Sequence, residues 1–207
     1  MIAFNDFERD ALSEVFNIGV GHAAATLSLM LGEPIQLAVP TVRLIARHAA
    51  SAALAPMAGS RVCAVRQRFS GEITADALLI FPESNGLELV RAMVRQMDGD
   101  GLALSAFGEM EQEAVSEIGN IVLNAVMSTL CDMLGASFFG SLPELQIGSC
   151  DAIFGTGGDG AGQCMLMLHI SFGIERVEVR GFLAFILDLP ALDILKKSVA
   201  RLVPGSA

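Results

Sequence analysis

The chain nearly repeats itself at a distance of 103 residues, and this duplication limits its fold more than any other feature. ERDALSEVFNIG (8–19) returns as EQEAVSEIGNIV (111–122). Shifted by 103 positions, segment 8–40 meets segment 111–143 with 12 identities: Glu8, Ala11, Ser13, Glu14, Asn17, Ile18, Thr26, Leu27, Met30, Leu31, Gly32 and Pro40. Unrelated sequences would share about two over that length. The period is too long for a solenoid. It predicts an α/β fold of two related halves, about 1–100 and 101–207, packed about a pseudo-two-fold axis in one domain.

Each half follows one plan. A long helix is expected over about 5–31, where Leu12, Val15, Phe16, Ile18, Leu27, Met30 and Leu31 recur at helical spacing. Gly32 ends it, with Pro34 just beyond. Gly19 and Gly21 weaken its middle by roughly 1 kcal/mol each relative to alanine, which predicts a close approach or a break there. After a variable stretch, RVCAVRQRF (61–69) and EITADALLIF (72–81) alternate polar with apolar residues. They read as a hairpin turning at Ser70-Gly71. NGLELVRAMVRQM (85–97) reads as a helix, and DGDG (98–101) as the turn between halves. The second half predicts a helix over about 107–134 ending at Gly135, and strands at 163–174 and 178–188. IERVE falls at or near their turn, and a final helix follows Pro190. The glycine-rich GTGGDGAG (155–162) lacks the Lys-Ser/Thr that follows a phosphate loop and reads as a flexible hairpin tip.

Composition removes several classes of function. The chain is 53% hydrophobic, enough for a sizeable core. A net charge of -10 makes it a poor ligand for phosphate backbones and anionic lipid, so neither nucleic acid nor membrane is expected as a partner. Arg43, Arg47, Arg61, Arg66 and Arg68 are spread out, and Lys196 and Lys197 sit in the last helix. Cys63, Cys131, Cys150 and Cys164 form no C-x-x-C pair and have no histidine at ligand spacing, so they read as small hydrophobes in a reducing compartment. No metal site is expected. MIAFNDFERD has no basic segment followed by an apolar run, and Gly or a charge interrupts the longest apolar runs. A cytoplasmic, soluble protein is the expectation.

The repeated polar residues carry the chemistry. Asp10, Glu14 and Asn17 lie on one helical stripe, as do Glu113, Glu117 and Asn120. A single copy would read as a solvated helix face with acids near a helix start. Two copies that keep Glu and Asn at positions free to drift ask for more. Asn is a poor helix former with no evident structural task on an exposed face. Its amide donates and accepts at once, which suits it to holding a water in line with an electrophile. A carboxylate one turn back can pair with a cation on a partner.

The spacing Asp/Ser-x3-Glu-x2-Asn-x22-Pro, here Asp10, Glu14, Asn17 and Pro40, resembles the signature of the CheC/CheX/FliY phosphatase family. Glu113, Glu117, Asn120 and Pro143 repeat it, with Glu113 departing from the Asp/Ser of the first position, and NIGVGHAAATLSLMLG (17–32) looks like the family's first helix. The resemblance spans the chain and, with two copies, falls nearest the CheC branch. It implies a mainly antiparallel sheet continuous across the halves, two long exposed active-site helices, and a monomer. It also implies hydrolysis of the aspartyl phosphate on a CheY-like chemotaxis response regulator. Glu14 and Glu117 would anchor a lysine of the regulator, and Asn17 and Asn120 would orient the attacking water. Asp10 and Glu113 would be secondary contacts. The Mg²⁺ would belong to the regulator, and this chain would need no cofactor of its own. The second class of function is a non-catalytic module that binds receiver domains or the receptor deamidase CheD.

Phe16 precedes Asn17 where Gly119 precedes Asn120. The Phe either narrows the approach to Asn17 or packs into the core. His22 is off the Asn17 stripe and reads as a packing residue. Met127, Met133, Met165 and Met167 read as core filler. Ser13 and Ser116 lack a His–Asp arrangement that would make either a nucleophile.

Overall fold

The computed structural model describes residues 4–39, 41–98, 108–154, 163–174 and 177–202. Helix α1 (Asp6–Leu31) opens on a capping box. The Asn5 side chain accepts from the Glu8 N–H at 2.9 Å, and the Glu8 carboxylate accepts from the Asn5 N–H at 2.8 Å. Gly32, in the left-handed region at φ 72°, closes it. The helix runs unbroken through Gly19 and Gly21. A Cβ on Gly19 would stand 2.9 Å from the Val126 Cα, so this glycine serves a close helix–helix approach.

β1 (Ile35–Ala38) and β2 (Val42–Ala46) come next, then a 3₁₀ turn at 47–49 and α2 (Ala50–Ala58). A hairpin of β3 (Val62–Gly71) and β4 (Ala75–Pro82) leads into α3 (Glu83–Asp98). The second half repeats the plan. Its helix α4 (Glu109–Leu134) is closed by Gly135 at φ 63°. β5 (Phe138–Gly140), β6 (Glu144–Gly148) and α5 (Cys150–Phe154) follow, then β7 (Gln163–Ile174), β8 (Val177–Asp188) and α6 (Leu189–Leu202). At the start of α4, the buried Glu111 carboxylate lies 2.6 Å from where a Cβ on Gly108 would stand. Glu8 and Glu111 are therefore repeated as parts of a helix start.

The strands form one eight-stranded antiparallel sheet in the order β1-β7-β8-β4-β3-β5, with β2 also on β7 and β6 also on β3. The halves exchange their edges: β1 and β2 pair with the second hairpin, β5 and β6 with the first. The register carries the duplication. Ile35 faces Ile174, and the same pair shifted by 103 is Phe138 facing Gly71. Val42 facing Leu168 becomes Leu145 facing Val65. At the centre, Leu79 faces Leu183 and Ile80 faces Phe182, so the pseudo-two-fold passes between β4 and β8.

Strand alternation gives the sheet two buried faces. Cys63, Val65, Leu79, Phe81, Leu168, Leu183 and Phe185 pack with α1, α3, α4 and α6. Ala64, Leu78, Ile80, Met165, Met167 and Phe182 pack with the short α2 and α5. By length and composition α1 and α4 are apolar enough to cross a membrane, contrary to the expectation from interrupted runs. Their buried stripes account for that apolarity: Leu12, Val15, Phe16 and Leu27 of α1, and Val115, Ile118, Val122 and Val126 of α4, lie in the core.

Three local expectations need correction. The first hairpin turns at 72–74, because β3 continues through Ser70 and Gly71 to pair with β5. The variable stretches contain β1, β2 and α2, and their counterparts β5, β6 and α5. Met127, Met165 and Met167 are core residues, but Met133 is exposed near the end of α4. Residues 99–101 of the expected seam, the 155–162 stretch and Pro40 lie outside the described residues.

Candidate functional site

The polar stripe of each long helix points away from its buried stripe. Asp10, Glu14, Asn17, Glu113 and Glu117 are exposed, and Asn120 is half-buried. Among the described residues the Glu14 and Glu117 carboxylates make no hydrogen bond or ion pair, so both are available to a cation from outside. His22 belongs to the helix–helix contact, its Nδ1 lying 3.3 Å from the Thr129 hydroxyl.

The helices carry the two asparagines at different heights above the sheet. A Cβ on Gly119 would stand 2.4 Å from a Val65 methyl, so α4 rests directly on β3. The matching Phe16 is fully buried and stacks on Phe185 with ring centroids 5.4 Å apart. Phe16 thus fills the space between α1 and the sheet, and its ring turns away from the exposed stripe.

Each asparagine amide is held, and each by a different donor. The Asn17 Oδ1 accepts from the Val39 backbone N–H at 3.0 Å. This bond ties the middle of α1 to the residue that follows β1. The Asn120 Oδ1 instead accepts from the Asn124 side-chain amide at 2.7 Å. Asn124 also donates to the Asn120 carbonyl at 2.8 Å and lies 3.3 Å from Oε1 of the buried Gln67. Gln67 in turn donates to the Ser141 carbonyl at 2.8 Å. The bond therefore differs between copies while the asparagine does not, so the bond alone does not explain the repeat. In both copies the amide oxygen is tied to the protein, which fixes the amide plane and leaves Nδ2 to donate to a water or a phosphoryl oxygen.

Sequence reading missed these holding groups. Val39 acts through its backbone, which leaves no residue signature. Asn124 and Gln67 did carry one: an amide four residues past Asn120, and a polar residue inside an apolar strand.

Among the described residues no three His, Cys, Asp or Glu side chains gather where they could hold a metal. Burial pushes the Cys63 thiol up to about 12, which removes it as a nucleophile. Iodoacetamide at pH 8 is expected to leave Cys63 unmodified until denaturant is added, as read by peptide mass spectrometry. Rapid labelling of the native protein would contradict this burial.

No family model matches the chain. It is 26% identical over 155 residues to the CheY-P phosphatase CheC of Bacillus subtilis, covering 72% of this chain and 71% of that protein. It is 23% identical over 176 residues to the flagellar motor switch phosphatase FliY of the same organism. That match covers 84% of this chain but 44% of the longer FliY. Among solved structures, Thermotoga maritima FliY shares the fold with a TM-score of 0.75 at 19% identity, covering 97% of this chain and 99% of that one.

Proposed function

The chain belongs to the CheC/CheX/FliY family, and on that premise we propose that it is a phosphatase for the aspartyl phosphate of a CheY-like response regulator. The observation that carries this reading is the twice-built Glu–Asn pair. In each copy an unpaired carboxylate stands one turn before an oriented amide, on an outward helix stripe.

Aspartyl-phosphate hydrolysis needs a water placed in line with the phosphorus and stabilisation of the charge that spreads over the equatorial oxygens. The receiver domain brings its own Mg²⁺ for that charge. This chain supplies position. Glu14 or Glu117 holds a lysine of the receiver, and Asn17 or Asn120 donates from Nδ2 to fix the attacking water. Asp10 and Glu113 extend the acidic stripe toward the helix start. Holding the water ordered removes entropy from the barrier without any covalent step on this chain. Both sites lie on one chain, so a monomer is sufficient.

The test is turnover. A phosphorylated receiver domain is mixed with one tenth its amount of this chain, and phosphate on the receiver is followed in time. The reading expects the whole pool to lose phosphate faster than the receiver alone. A module that only binds receiver domains or CheD would leave the rate unchanged or slow it in proportion to the amount added.

A further inference from the structure

The second copy contains a polar chain that the first lacks. Asn124 occupies the place of Gly21, Gln67 that of Ile170, and Ser141 that of Ala38, each pair being 103 residues apart. Gln67 is 3% exposed, in a strand whose neighbours Cys63, Val65 and Phe69 on the same face are all apolar. A buried amide is costly unless its bonds are made; among the described residues Gln67 makes them toward this corner, to the Ser141 carbonyl and to the Asn124 amide, whose two N–H groups are shared among the Gln67 Oε1, the Asn120 carbonyl and the Asn120 Oδ1. The corner is tightly closed. A Cβ on Gly140 would stand 3.0 Å from the Gln67 Nε2 and 3.5 Å from the Asn124 Oδ1. Ser141 is itself fixed, its hydroxyl accepting from the Arg68 N–H at 3.1 Å and its N–H donating to the Arg68 carbonyl at 2.8 Å.

We propose that Asn124 is a positioning residue for Asn120, braced by Gln67 and the Ser141 carbonyl, and that it does for the second site what the Val39 N–H does for the first. This rests on the phosphatase reading for its catalytic consequence, but the positioning itself is a property of the chain alone. Asn120 is half-buried, and among the described residues no backbone N–H donates to its Oδ1. Without Asn124 its amide is free to turn over, and Nδ2 faces outward only part of the time. An aspartate at 124 keeps the shape but presents only acceptors to the Asn120 Oδ1. The Asn120 amide then flips to donate inward, and its oxygen faces the water.

Two measurements test this. The first uses the chain without its substrate. In side-chain amide NMR, Asn124→Ala is expected to leave the Asn120 NH₂ group mobile on the picosecond–nanosecond scale, and Asn124→Asp to shift its resonances while it remains ordered. An unchanged Asn120 NH₂ signal in both variants overturns the positioning role, whatever the activity. The second uses an Asn17→Ala background, in which only the second site acts. There Asn124→Ala and Asn124→Asp should each lower kcat roughly tenfold, the worth of one oriented hydrogen bond. KM for the phosphorylated receiver should not change. Unchanged kcat, or a KM that rises instead, overturns the catalytic consequence. If wild type itself never accelerates hydrolysis, the phosphatase reading fails while the NMR result still decides the positioning.

Discussion

Replacing Phe16 with alanine is expected to destabilise the fold by about 3–5 kcal/mol. The side chain is fully buried, stacks on Phe185 and fills the gap between α1 and the sheet. A small, partly open pocket of about 20 Å³ already lies beside it, lined by Ile73, Met127, Leu130 and Leu187 among others. That lining is wholly apolar, so water would not compensate for the enlarged space. The second copy shows the alternative packing, in which Gly119 lets α4 rest on Val65. Alanine at 16 does not reach that arrangement, because α1 is also held at Gly19 against Val126. Urea titration measures the loss. A drop below about 1 kcal/mol would mean that α1 settles onto the sheet as α4 does.

The second large effect falls on rate alone. Asn17→Asp together with Asn120→Asp should reduce catalysis by about 10²-fold, the usual scale for losing a donor aimed at a reacting centre. The change is nearly isosteric. An aspartate at 17 still accepts from the Val39 N–H, as Asn17 does at 3.0 Å, so the fold should hold. The outward NH₂ is lost, and a negative carboxylate faces the phosphoryl oxygens instead. Each single variant removes only its own site, and the two residual rates rank the sites. A double variant with full activity would exclude the Asn amide from the chemistry.

The long helices were legible because their ends are written in local chemistry. Gly32 and Gly135 sit where a left-handed residue closes the helix. The apolar spacing of Leu12, Val15, Phe16 and Leu27 faces the core as the period requires. The edge strands were not legible, for two physical reasons. β1 and β5 have four and three residues, too few for a period to register. Their partners also lie in the opposite half of the chain, and a pairing as distant as Ile35 with Ile174 leaves no local mark. The hairpin was misplaced at Ser70-Gly71 for a related reason. Gly71 looks like a turn residue, but its missing side chain serves the crossing of another strand. A Cβ there would stand 2.0 Å from the Ser137 carbonyl oxygen. At the site, helical spacing placed Glu14 beside Asn17 and Glu117 beside Asn120, both on outward stripes. What holds each amide came from a backbone N–H in one copy and a side-chain relay in the other, and neither follows from the repeat.

On the proposed mechanism, two oriented asparagines speed the hydrolysis of a partner's aspartyl phosphate. The most direct measurement is the decay of a phosphorylated receiver domain under saturating wild type and under saturating Asn17→Ala/Asn120→Ala, with the affinity of each measured in parallel. Wild type is expected to accelerate the decay, while the double variant binds equally well and leaves the receiver at its own intrinsic rate. Equal acceleration by both proteins at equal affinity would contradict that mechanism.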